Sequence, residues 1–301
     1  MPNAKLKNNL HLHFLVFIAG FTAILGELIS ISAIPLVWFR MVIASILMFI
    51  YIKIAKVKLK VSLNAIIKFS LAGIIIALHW ITFFGAIDES NISITLAMFS
   101  TGAFFASFIE PIVYKRNFIW YEIFFGIIVI IGVFVITQSE FKYINGIILG
   151  ISSAFFSSLF AVLNGSFLKQ HTATVISFYE FLSGVLFITI YILFFCKGFS
   201  SSFFNLNASD FGYLFILASI CTAYAFIASV YVMKLISPYT VVLTYNLEPI
   251  YGILLAILIF PEKEKMSPEF YYGTVIIIVT VILNAILKKK KNTKKKAMIA
   301  E

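Results

Sequence analysis

The chain has 301 residues, of which 61% are hydrophobic and 12% charged, where a soluble globular chain is expected at roughly 45 to 50% and 25%. That balance excludes an ordinary soluble enzyme and points to an all-α, polytopic membrane protein. The net charge of +10 would suit a nucleic-acid binder only if the basic residues formed one patch, and they do not.

A membrane-crossing helix needs about 20 mostly apolar residues. Ten such segments are predicted, at 12–30, 33–53, 64–86, 91–113, 119–137, 144–167, 174–196, 211–234, 240–260 and 269–288. No soluble domain fits between or beyond them. The first segment has a weakly charged front at Lys5 and Lys7 and no small-residue cleavage site, so it reads as a retained helix. Glu27 lies near its outer end, and Arg40 sits in the second segment about 10 Å below the same surface at 1.5 Å per residue. Two readings stand for this arginine: an interfacial pair with Glu27, or a cation facing an anionic solute.

The third segment carries His79, Trp80 and Phe83, a titratable ring and two aromatic faces that suit a pocket wall, or equally a packed core. Ser100 and Thr101 fall at the middle of the fourth, where hydroxyls either face a cavity or bond back to their own helix. Glu110, near Lys115 and Arg116, reads as a structural ion pair. In the sixth segment Gly146, Gly150, Ala154 and Ser158 form a small-residue stripe that reads as a packing seam. Asn164 follows in the same segment, and Glu180 lies in the seventh, about 9 Å deep. Tyr224 and Tyr231 in the eighth, with Tyr245, Asn246 and Glu248 in the ninth, add polar groups to apolar surroundings. Glu248 is followed by Pro249, which removes a helical donor, so the ninth helix is expected to bend beside a carboxylate. Cys196 and Cys221 have no His or Cys neighbour at ligand spacing, so neither a disulfide framework, a metal site nor a cofactor is indicated.

If the amino terminus is cytoplasmic, cytoplasmic stretches hold 18 of the 23 basic residues, including seven tail lysines from Lys288 to Lys296. This asymmetry is what the positive-inside rule expects, with both termini in the cytoplasm. The tail reads as a topology anchor touching anionic lipid, not a nucleic-acid arm.

The two halves also resemble each other. A shift of 140 lays Arg40 over Glu180, and a shift of 147 lays segments three to five over eight to ten, with Thr101-Gly102 over Glu248-Pro249 and Gly126 over Gly273. Each copy holds five segments, an odd number, so the second enters the membrane from the opposite side and the repeat is inverted. The expected divisions are 1–138, 139–288 and a lysine-rich tail at 289–301. Segments five and ten, the most uniformly aliphatic, are expected at the periphery, with a cavity lined by segments one to four and six to nine.

This ten-segment inverted repeat, the motif around Arg40, the stretch from Asn164 to Glu180, and Leu247-Glu248-Pro249 followed by Glu262 together resemble the EamA-type branch of the drug/metabolite transporter superfamily. The resemblance covers nearly the whole chain and implies a multi-pass carrier of the bacterial inner membrane that moves small metabolites, amino acids among them. The candidate substrate contacts are then Arg40, His79, Trp80, Phe83, Ser100, Thr101, Asn164, Glu180, Tyr224, Tyr245, Asn246 and Glu248, with no catalytic residue. No Gly-x-x-x-x-Gly-Lys-Ser/Thr pattern occurs, so ATP is not the direct energy source. Proton coupling through Glu180, Glu248 or His79 and an uncoupled facilitator both remain open, as do monomer and homodimer. The aromatic content leans toward an aromatic or hydrophobic amino acid. The alternative from another class is an intramembrane enzyme acting on a lipid-linked substrate, which would need acids, His or Cys gathered at one face.

Overall fold

The computed structural model describes residues 2–196, 198–245 and 247–300. Among them there is no strand; the α-helices are α1 (Pro2–Leu28), α2 (Ala33–Ile54), α3 (Leu63–Glu89), α4 (Ile92–Phe99), α5 (Gly102–Tyr114), α6 (Trp120–Ser139), α7 (Ile144–Phe167), α8 (Ala173–Phe195), α9 (Ala208–Ala218), α10 (Ala225–Val232), α11 (Pro238–Tyr245), α12 (Glu248–Ile259) and α13 (Pro268–Ala300). Helices suit such a chain because apolar surroundings offer no partner to a free backbone amide or carbonyl. Among the described residues eight stretches are long and apolar enough to cross a membrane, with α4–α5 and α9–α10 each counted as one; Glu248–Ile259 and Pro268–Asn284 are shorter apolar helices.

Three predicted segments are interrupted. The fourth breaks at Ser100 and Thr101, the eighth widens into a π turn over Ser219–Tyr224, and the ninth breaks just before Glu248. Pro249 therefore opens α12 in its first turn, where a missing N–H leaves no bond unmade. The expected bend is a clean break.

Helices of one half pack chiefly on those of the other. α3 lies against α7 and α8, α2 against α8 and α9, α1 against α10 and α12, and α6 against α13. Two glycine contacts set the closest approaches. A methyl group on Gly73 would collide with the Glu180 carbonyl oxygen, so the backbones of α3 and α8 nearly touch there. Gly132 of α6 and Gly273 of α13 face each other, and a methyl on either would lie within 3.0 and 2.8 Å, respectively, of the other's carbonyl oxygen. The predicted seam on α7 is present as packing: Gly150 meets Met98, and Ser158 donates to the Gly102 carbonyl at 2.8 Å.

The end of the bundle opposite the two termini is stitched by carboxylates that bind loop amides and helix starts. Asp210 accepts from the Ser30 amide and hydroxyl at 2.8 and 2.7 Å, and Asp88 from the Ala33 amide at 3.1 Å. Glu264 accepts from the amides of Ile92 and Ser93 at 3.0 and 2.9 Å, and Glu140 from that of Ser267 at 2.9 Å. Negative charge at a helix start meets unpaired amides and the positive end of the dipole, an interaction typically worth about 0.3 to 1 kcal/mol and up to about 2 where partly buried. Glu27 accepts from Lys263 at 2.6 Å, and this hydrogen bond holds the ammonium above its ordinary range. The expected pairing of Glu27 with Arg40 is thus corrected: Glu27 stays at loop level, whereas the Arg40 guanidinium reaches sideways into the bundle. Glu110 does pair with Arg116, at 3.5 Å.

Candidate functional site

A cavity of about 120 Å³ lies at the centre of the bundle, lined from α1, α2, α3, α4, α5, α7, the π turn, α10, α11 and α12. Among the described residues neither α6 nor α13 lines it, as their aliphatic faces led one to expect. α8 does not line it either, contrary to expectation, because the close approach at Gly73 turns that helix's small face onto α3. The lining descends to Met233 and Val241, beside the turn joining α10 to α11 at the terminal end. Ligand pockets usually measure about 300 to 1,000 Å³, while a cavity of about 150 Å³ already admits benzene. This one therefore suits a small solute.

Arg40 is the charged wall. It is 2% exposed, and its guanidinium carbon stands 4.0 Å from the centroid of the Trp80 ring. Nε donates to Thr222 Oγ1 at 2.5 Å, and Nη2 points to the Cys221 carbonyl at 3.5 Å. Both acceptors belong to the π turn, whose wider winding exposes groups that an α-helix would enclose. Thr222 in turn donates to the Leu217 carbonyl five residues back, at 2.6 Å, which orients its oxygen lone pairs toward the arginine. Nη1 has no hydrogen-bond partner among the described residues. A desolvated cation over an aromatic face gains about 2 kcal/mol or more. The stacked, forked cradle fits a guanidinium and not an ammonium.

Glu248 is the opposite charge, at the first position of α12 and 5% exposed. Among the described residues no donor bonds its carboxylate, and it forms no ion pair with Arg40 although both line the cavity. A buried carboxylate without a hydrogen bond is costly. The cavity is therefore bipolar, with a guanidinium and a carboxylate held apart.

His79 stacks on Phe99, with ring centroids 5.5 Å apart. Its Nδ1 lies 3.1 Å from the Ser153 carbonyl and 2.8 Å from Ser153 Oγ, and that hydroxyl donates to the His79 carbonyl at 3.1 Å. Because Ser153 spends its proton on that carbonyl, the network assigns the ring proton to Nδ1 and leaves Nε2 as an acceptor for a cavity solute. Phe83, Phe160 and Phe226 complete an aromatic wall. Tyr245 lines the cavity, its hydroxyl bonded to Ser229 at 2.5 Å.

Of the twelve candidate contacts, the structure brings together Arg40, His79, Trp80, Phe83, Tyr245 and Glu248. Ser100 and Thr101 instead bond back to the carbonyls of Leu96 and Met98, at 3.2 and 2.7 Å, mending the break between α4 and α5. Asn164 and Glu180 form a separate buried pair at 3.4 Å. Tyr224 is 46% exposed and bonds His11 at 2.9 Å. Asn246 lies outside the described residues. Thr222, Ser153, Phe160 and Phe226 were not singled out in the sequence; only an aromatic at 160 or 226 left a signal, lost among 34 phenylalanines.

The EamA-like transporter family matches residues 9–138 and again residues 144–286, most of the chain in two successive copies. The chain belongs to the EamA-like transporter family. Its cavity is thus the central cavity of a membrane transporter, with walls drawn from both copies. One crystal structure of a protein is similar over 94% of this chain and 98% of its own, with a TM-score of 0.69 and 14% identity, a likeness of fold alone. No curated protein matches the chain. As a member of the EamA-like family it is a multi-pass membrane protein handling a small solute in the bilayer.

Proposed function

We propose that this EamA-like transporter is a secondary carrier that exports a small zwitterionic metabolite, an amino acid foremost, across the bacterial inner membrane by alternating access. The observation that carries this reading is the bipolar cavity: Arg40, with Nη1 unpartnered, meets a carboxylate, and Glu248 meets an ammonium, while Trp80, Phe83 and Phe226 receive an apolar side chain. A small hydrophobic amino acid carries those three features and suits a cavity of about 120 Å³. Protonation of Glu248 is the coupling step in this reading, because the same carboxylate cannot hold a substrate ammonium and a proton together.

Ten crossings in two inverted five-helix units, at 1–138 and 139–288, with both termini cytoplasmic and the tail 289–301 on the lipid surface, are the architecture that fits. Two features support it: the family match in two copies, and the exchange of neighbours between halves, in which α3 on α7 and α8 is answered by α9 and α10 on α1 and α2. The stitched end would then be the outer one, and the cavity would reach toward the cytoplasm at Met233 and Val241. The intramembrane-enzyme reading draws no comparable support, since Glu110, Glu180 and Glu248 lie at three separate places.

The test is uptake of labelled amino acids into liposomes holding the purified protein, with and without a pH gradient. Saturable uptake of an apolar amino acid, stimulated by the gradient and lost in Glu248→Gln, is expected. No uptake of any zwitterion by folded protein, or gradient-stimulated uptake unchanged in Glu248→Gln, would sink the reading.

A further inference from the structure

Apart from the cavity, the hairpin of α7 and α8 encloses a second polar group that the transport reading does not use. Asn164, at the start of the last turn of α7, and Ser177 and Glu180, on one face of the first turns of α8, are all 0% exposed. Glu180 Oε1, the Asn164 amide oxygen and Ser177 Oγ have no hydrogen-bond partner among the described residues. Most intramembrane hydroxyls of this chain bond back to their own helix, as Ser107, Ser152 and Thr244 do, so Ser177 departs from the rule. The pair between Asn164 Nδ2 and Glu180 Oε2 measures 3.4 Å, long for an amide on a carboxylate. No basic side chain bonds Glu180 among the described residues. Oxygens outnumber donors here, and the Glu180 backbone lies close against α3 at Gly73.

We propose that Asn164, Ser177 and Glu180 form a binding site for a dehydrated monovalent cation of sodium's size. The amide's oxygen and nitrogen exchange places on a half-turn of the side chain, which sets oxygen where Nδ2 now stands. Two oxygens at neighbouring positions around an ion held at about 2.4 Å lie about 3.4 Å apart, the separation found. Sodium and calcium share that radius, and charge selects between them: one carboxylate neutralises a single positive charge, whereas a divalent ion would leave an excess in a dry site. Potassium is too large for that oxygen spacing. The ion ties α7 to α8 one turn beyond Ala161, a residue of the cavity wall, so the site fixes one side of the cavity without touching its solute.

The proposal is tested on the purified full chain in detergent, with no transported solute present. The unfolding midpoint is measured in sodium, potassium and choline chloride at equal ionic strength, together with binding of radioactive sodium. Sodium is expected to raise the midpoint saturably while potassium and choline do not; Glu180→Gln abolishes the effect, Ser177→Ala weakens sodium binding about tenfold, and Ser152→Ala, on the outer face of α7, leaves it unchanged. A wild-type protein indifferent to sodium at every pH, as a simply protonated carboxyl would be, overturns the proposal, and so does sodium binding that survives Glu180→Gln. The wild-type comparison decides even where a variant fails to fold. Failure here leaves the cavity reading intact, because Arg40 and Glu248 take no part.

Discussion

At the break between α4 and α5, the polar side chains are answered close by. The Ser100 and Thr101 hydroxyls return to the carbonyls of α4, and Ser158 of α7 takes the Gly102 carbonyl. The break between α11 and α12, which the 147-residue shift pairs with the first, precedes Glu248 and Pro249, and the Glu248 carboxylate faces the cavity without a donor among the described residues. Geometry is shared by the two halves; chemistry is not. Both breaks interrupt a predicted segment, and only the second carries a charged, addressable group. That asymmetry separates a fold feature from a functional one more sharply than either helix could by itself.

The comparison breaks most visibly at Glu248. Glu248→Gln keeps the shape and removes the charge, and transport into liposomes is expected to fall about a hundredfold or more, the scale of a buried charge contact of about 3 kcal/mol. Retained transport would make both breaks structural. Arg40→Lys comes next: an ammonium cannot stack on Trp80 and fork to Thr222 at once, so about a tenfold loss of transport with an unchanged unfolding midpoint is expected. Glu264→Gln should lower stability by about 1 kcal/mol, read as a depressed midpoint, because a neutral amide weakens two charge-assisted bonds to the start of α4. Thr101→Ala is the smallest perturbation: about 0.5 to 1 kcal/mol of stability and transport within about twofold of wild type. A large transport defect in Thr101→Ala would place the first break in the functional site as well.

These differences were only partly readable in the sequence. Hydropathy marks the apolar segments, and the costly residues Arg40 and Glu248 stand out within them because each must be accounted for in lipid. The break at Ser100 and Thr101 left no mark, since hydroxyls beside a glycine occur in continuous helices too. The π turn that receives Arg40 was equally silent: the six residues from Ser219 to Tyr224 have nothing in their composition that distinguishes a wide turn from an ordinary helix. Glu27 misled because proximity along the chain suggested Arg40 as its partner, while Lys263, distant in sequence, is the one it meets. Glu264, whose two oxygens cap α4, looked like one more loop acid beside Glu262.

The crossing of Gly132 and Gly273 has a mechanical consequence. These two helices come from different copies of the family match, hold each other at backbone distance, and contribute nothing to the cavity wall. Whatever the cavity does, that contact has no reason to open. It can act as a fulcrum, about which the walls swing while the crossing itself stays put. A pair of spin labels spanning it should keep one distance with and without solute, even as labels across the stitched end separate.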